Sequence, residues 1–362
     1  MTRVGCRLPL AAVCWWLLTS CEALTAALEL PSGNRAAGID NVLGDVATPN
    51  IEDRRPNYAR VDGSIETLWQ RPAGQIAGVL FFAHGCKHQA TDFFYKNSGT
   101  HQWQFQACDK SYFGRCLGLP EERQFVELAR SRNYLVMAVS GGTGRQSCWD
   151  MDGDRSRVEK ALRHVFQHEG LSLGKMPILA TGASSGGQFM GPLALHLSSL
   201  HDFKKSLRCV IPQISAFTSL DASEMTVPTF FLPMARDKRT LQVVNENVEA
   251  ITRNNARVSK QEVADVPVAD EFEDEQYGIS HGKQVVTQLE VNGFLDDQGK
   301  LKEDPRSSDW RSALKSPPSV IDGVDTLAPD ESAVAELLNV AYAQHEFTSR
   351  YAREALDFCE GQ

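Results

Sequence analysis

The chain has 362 residues, 42% of them hydrophobic and 23% charged, a globular make-up long enough for one large α/β domain or two small ones. Its formal net charge is −9. No basic block or stripe interrupts that acidic balance, which argues against nucleic acid as the main partner.

The N-terminus reads as a targeting segment. Arg3 and Arg7 precede the apolar run from Leu8 to Leu18, and Thr19-Ser-Cys-Glu-Ala23 follows. A basic start, a short apolar centre and the small-residue site Cys21-x-Ala23 describe a secretory signal peptide over 1–23. The run is short for a transmembrane helix, so a signal anchor is the lesser alternative, and no stable membrane span is expected after removal. Leu18-Thr-Ser-Cys21 also resembles a bacterial lipoprotein cleavage box, a second minor alternative. No apolar tail follows Asp357, no retrieval signal ends the chain, and no Asn-X-Ser/Thr site occurs.

Residues 24–55 are weakly periodic and read as a partly ordered leader, leaving 56–362 as one catalytic domain with insertions. Alternation from Arg60 to Trp69 predicts a strand or hairpin at a sheet edge. Ala77 to Ala83 is a fully apolar strand ending in His84-Gly85-Cys86. Residues 87–118 form a polar, aromatic insertion. Pro120, Glu121 and Glu122 predict a helix first turn, since proline fits the first position and carboxylates suit the positive end. That helix carries Phe125, Val126, Leu128 and Ala129. Tyr134 to Val139 is the next buried strand, and Asp154 to His168 a helix stopped by Gly170.

Met176 to Ala183 then predicts a strand running into Gly182-Ala183-Ser184-Ser185-Gly186, with a helix from Gln188 to Leu200. Gly191-Pro192, one turn into that helix, is irregular. Short strands are expected at Cys209 to Ile214 and Thr229 to Met234, and a last one at Gly282 to Val291. Residues 293–330 are polar and turn-rich, and Glu331 to Phe358 reads as helix, broken near His345. Strands alternating with helices imply a mostly parallel sheet covered on both faces.

The Gly-X-Ser-X-Gly pentad answers a physical need. A serine nucleophile must stand clear of the backbone on a rigid tip where a histidine reaches it, and flanking glycines let neighbouring segments approach. In open α/β sheets ligands bind beyond the carboxyl ends of the strands. His84-Gly85-Cys86, the Ser184 turn and Ala235-Arg236-Asp237 all follow such ends. Asp237 suits the orienting acid, against a reading as an exposed turn aspartate. The order Ser, acid, His leaves His345 or His281 as the base; the position of His345 before a last helix favours it, and His281 is read as a surface residue. An oxyanion hole needs two backbone N–H donors, expected from Cys86 and Ser185, with His84, Gly85, Gly182 and Gly186 shaping the turns. His84 with His88 lacks further ligands of metal-binding spacing, so neither metal nor cofactor is expected.

Six cysteines follow the targeting segment, an even number that favours disulfides in a secreted chain. Cys86 and Cys148 end consecutive strands and are expected to bridge. Cys108 and Cys116 are close enough in sequence to staple the insertion. Cys209 with Cys359 follows by elimination, against buried free thiols.

His84-Gly-Cys, Thr91-Asp-Phe-Phe, Cys108 with Cys116-Leu-Gly-Leu-Pro-Glu-Glu, Cys148-Trp149, Gly182-Ala-Ser-Ser-Gly-Gly, Met234-Ala-Arg-Asp and His345-Glu-Phe-Thr together resemble a poorly characterised α/β-hydrolase family of plants and algae, over roughly residues 60–360. The first and fourth elements also resemble secreted polyhydroxybutyrate-depolymerase and feruloyl-esterase-type enzymes, from which the 87–118 insertion departs. The resemblance implies an α/β-hydrolase fold and a serine ester hydrolase acting through Ser184, Asp237 and His345 on a small-molecule or polymer-bound ester. It names no substrate. A peptidase or acyltransferase on the same fold, and a non-catalytic binding domain, are the alternatives.

Overall fold

The computed structural model describes residues 56–94, 117–142, 147–272, 282–315, 327 and 332–362. The targeting segment, the leader, His281, Cys108 and Cys116 lie outside them. The strands are β1 (Asn57–Val61), β2 (Ile65–Gln70), β3 (Gly78–Ala83), β4 (Tyr134–Val139), β5 (Ile178–Ala183), β6 (Leu207–Gln213), β7 (Thr229–Phe231) and β8 (Val258–Lys260). The helices are α1 (Pro120–Ser131), α2 (Gly153–His168), α3 (Ser185–Ser199), α4 (His201–Lys204), α5 (Ser219–Glu224), α6 (Lys238–Arg253), α7 (Gly282–Val291), α8 (Trp310–Lys315), α9 (Ala333–Tyr342) and α10 (Ala352–Glu360).

Among the described residues the strands form one sheet in the order β1-β2-β4-β3-β5-β6-β7-β8. β2 runs antiparallel to both its neighbours, and every pairing from β4 to β8 is parallel. This is the α/β-hydrolase fold, a mostly parallel sheet with helices on both faces. The continuous apolar runs of β3 and β4 follow from burial on both sides. Alternation within each strand sorts its side chains between two layers. Val79, Phe81, Met137 and Ala180 pack under α2 and α3, while Leu80, Phe82, Val136 and Leu179 pack under α1 and α10.

A separate apolar cluster gathers Val268, Leu289, Trp310, Leu314, Leu337 and Leu338 from the segment between β8 and α10. Here one expectation is overturned. Gly282–Val291 is the helix α7, not a last strand. Its buried residues are Gly282, Val285 and Leu289, spaced as one helix face against the cluster, so tertiary packing overrides the β-branched composition. The sheet instead ends on β8, which with α6 was not foreseen.

Gly191-Pro192 lies inside α3. A β-carbon on Gly191 would meet the Phe217 ring at 3.0 Å and Asp221 at 3.3 Å. Glycine therefore lets α3 approach α5 closely.

Candidate active site

The site is assembled at the carboxyl end of the sheet. Ser184 caps the step from β5 to α3 at φ 53° and ψ −115°, a sparsely populated conformation that costs on the order of 1–3 kcal/mol. Its amide donates to the Gln213 carbonyl at 3.1 Å, which ties the turn to β6. The glycines admit backbone. A β-carbon on Gly186 would lie 2.5 Å from the His84 carbonyl oxygen, and one on Gly182 would lie 2.6 Å from Gly186 carbonyl carbon. No side chain fits at either position.

His345 sits between α9 and α10, in the break expected there. Its Nε2 is 3.0 Å from Ser184 Oγ, and its Nδ1 is 3.6 Å from Asp237 Oδ2. Asp237 begins α6, where its Oδ1 accepts the Thr240 amide at 3.0 Å. That contact fixes one carboxylate oxygen and leaves the other toward the imidazole. Arg236 is turned away, paired with Asp265 at 2.9 Å.

The histidine loop is pinned from several sides. Ala343 closes α9 in the left-handed region, and its carbonyl accepts the Arg236 amide at 3.0 Å. The Thr348 amide donates to Gln213 Oε1 at 3.0 Å. Glu121 Oε2 accepts the Thr348 and Ser349 hydroxyls at 3.0 Å each, and Glu346 is held by Asn339 at 2.8 Å and Arg306 at 3.0 Å. Glu121 and Glu122, read as charges at a helix start, are in fact buried, and Glu121 serves the histidine loop. Contacts spanning more than 100 residues leave no local signal, which is why the roles of Gln213 and Glu121 went unread.

The turn after β3 is equally fixed. His84 is 2% exposed. Its Nε2 accepts the Gly141 amide at 2.8 Å, so its proton sits on Nδ1, which donates to the Gly85 carbonyl at 2.6 Å. Burial drives its pKa down to about 3, so the ring stays neutral and is spent on structure. Trp149 Nε1 donates to the His84 carbonyl at 2.9 Å, while its ring stacks on Phe189 with centroids 4.5 Å apart. A disulfide joins Cys86 to Cys148, and a second joins Cys209 to Cys359. The first anchors Cys86 beside Ser184.

A cavity of about 190 Å³ opens here, lined by Gly85, Cys86, Ser184 and His345 on one side and by His88, Phe93, Glu122 and Arg306 on others. Among the described residues no cluster of His, Cys, Asp or Glu has a metal-binding arrangement.

No family model matches the chain, and no curated protein matches it. Solved structures are similar at low identity. A thermostable esterase is 12% identical with a TM-score of 0.39, over 63% of this chain and 59% of its own. Thermogutta terrifontis esterase 2 with propionate bound is 14% identical, TM-score 0.39, over 69% and 98%. Pyrococcus horikoshii acylaminoacyl peptidase is 13% identical, TM-score 0.39, over 72% and 44%. The chain thus spans about three fifths of the first of these.

Proposed function

We propose that this chain is a secreted serine hydrolase that cleaves carboxylic esters through an acyl-enzyme. The observation that carries the reading is the approach of His345 Nε2 to 3.0 Å from Ser184 Oγ, with Asp237 at the other ring nitrogen. Nε2 takes the hydroxyl proton as Oγ attacks the ester carbonyl, and the Asp237 carboxylate stabilises the imidazolium that results. The oxyanion meets the amides of Cys86 and Ser185. The Ser185 amide belongs to the first turn of α3, where N–H groups lack helical acceptors. Collapse expels the alcohol, which takes the proton from His345. Water, deprotonated by the same histidine, then attacks the acyl-enzyme and releases the acid.

Secretion is supported by two disulfides, which persist in oxidising compartments. Among the described residues no helix is long and apolar enough to cross a membrane.

A fluorophosphonate probe is expected to label the folded protein at Ser184, and Ser184→Ala to abolish labelling and ester turnover together. Labelling that persists in the variant overturns the assignment. Turnover of aryl esters without turnover of peptides separates an esterase from a peptidase.

A further inference from the structure

The Ser-Asp-His set leaves a second histidine of this site unused. His88 Nδ1 lies 3.1 Å from Asp92 Oδ2, and Asp92 is itself 2% exposed and accepts the Gln89 amide at 3.0 Å. The opposite edge of the ring faces the serine. A side chain on Gly85 would touch His88 Cδ2 at 3.6 Å and Ser184 Cβ at 3.8 Å, so imidazole and nucleophile flank the space that glycine leaves open. Nε2, next to that Cδ2, has no protein partner among the described residues. Burial pulls the His88 pKa down, but the Asp92 hydrogen bond and charge outweigh it, helped by Glu122 and Glu346, and hold it up at about 9. His88 is therefore a charged donor at neutral pH.

Glu122 faces the same cavity. Its Oε2 and Glu336 Oε1 are both buried without a conventional donor. Burial and the adjoining carboxylates push the Glu336 pKa well up, so Glu336 keeps its proton and donates it to Glu122. That leaves Glu122, whose pKa burial brings up to about 7, as an acceptor once it is ionised. Glu346, the cavity's other carboxylate, is matched by Arg306.

A substrate ammonium group would meet Lys87, His88 and Arg306, and a second carboxylate would meet Glu122 and Glu346. A hydroxyl accepts from one wall and donates to the other. We propose that the cavity beside Ser184 binds a hydroxyl of the ester substrate between His88 Nε2 and the Glu122 carboxylate. This rests on the esterase reading and specifies its substrate class as hydroxylated esters. The hydroxyl belongs to the acyl or the alcohol part, a choice the experiment resolves.

Two matched pairs test it: 4-nitrophenyl 3-hydroxybutanoate against 4-nitrophenyl butanoate, and 2,3-dihydroxypropyl butanoate against propyl butanoate. The readout is the ratio of kcat/KM within each pair, which does not depend on the fraction of folded enzyme. A site built to hydrogen-bond a hydroxyl rejects the analogue lacking it, so the wild type should favour the hydroxylated member at least about 10-fold in one pair. His88→Leu should bring that ratio to within about twofold of unity. His88→Gln, which keeps an N–H donor, should retain part of it, and Glu122→Gln should lower it. A wild type labelled at Ser184 by fluorophosphonate but showing no preference in either pair overturns the proposal. So does a preference unchanged in both His88→Leu and Glu122→Gln, or a stronger preference for 4-nitrophenyl hemisuccinate. An unlabelled wild type removes the esterase reading first, and the subsite with it.

Discussion

Asp237 does two jobs with two oxygens, and a single substitution separates them. Oδ1 caps α6 through the Thr240 amide, and Oδ2 faces His345 Nδ1. Asparagine is as good an N-cap as aspartate, so Asp237→Asn should alter stability by less than about 0.5 kcal/mol. Its amide would then turn a donor toward the ring and favour the wrong imidazole tautomer, lowering kcat by about 10²- to 10⁴-fold. Thermal unfolding beside ester turnover checks both halves, and an active Asp237→Asn enzyme removes Asp237 from the proposed mechanism. This acid was legible because it follows an apolar strand and precedes a helix start. His345 was legible because few histidines follow Asp237. The His88–Asp92 pair was not, since a histidine four residues from an aspartate looks like any polar loop until the fold buries it.

The turn between β5 and α3 rests on close backbone approach rather than on side-chain packing. Gly186→Ala would drive its methyl into the carbonyls of Ala83 and His84, neither of which can move without distorting β3. A cost of about 3 kcal/mol is expected, read as a lowered denaturation midpoint with loss of Ser184 labelling. Unchanged stability would mean that the two segments lie farther apart. The facing turn is held differently, by the Cys86–Cys148 bridge and the Trp149 indole. Cys86→Ser with Cys148→Ser should cost about 2–4 kcal/mol and, by freeing the Cys86 amide, should reduce kcat more than it raises KM. Equal kcat in the bridged and unbridged proteins would separate this disulfide from the proposed oxyanion hole. Strands with long apolar runs were read to within a residue or two, because burial on both faces leaves no ambiguity. α7 was misread because a valine pair and a threonine carry strand propensity, while the partner that makes them helical, the cluster around Trp310, lies elsewhere in the chain.

Buried carboxyls set how the whole molecule responds to pH. Burial, as the largest cause, raises the pKa of Glu66, Asp92, Glu121 and Glu336, and brings Glu122 to about 7. A carboxyl whose folded pKa is raised binds its proton more tightly in the native state. Its stabilising contribution is complete below the unfolded pKa and is lost as pH rises through the folded value. His88 acts in the same direction at higher pH, contributing below its ordinary value of 6.5 and losing that contribution as pH climbs through about 9. His84 opposes them. Its pKa is depressed to about 3, so its contribution is present above 6.5 and wanes as the solution is acidified. That is one proton against several carboxyls, so the balance between about pH 5 and 9 favours the acidic side. Well below that window the exposed Asp202 and the half-buried Asp265, whose pKa values are lowered mainly by Arg163 for the first and, against burial, by Arg236 for the second, lose their pairings and stability falls again. Thermal unfolding should therefore give a higher Tm near pH 5.5 than near pH 8.5. Glu122→Gln, which removes the group titrating near 7, should flatten the curve between those two values. A Tm that rises from pH 5.5 to 8.5 would mean that these carboxyls are ionised and solvated in the native protein.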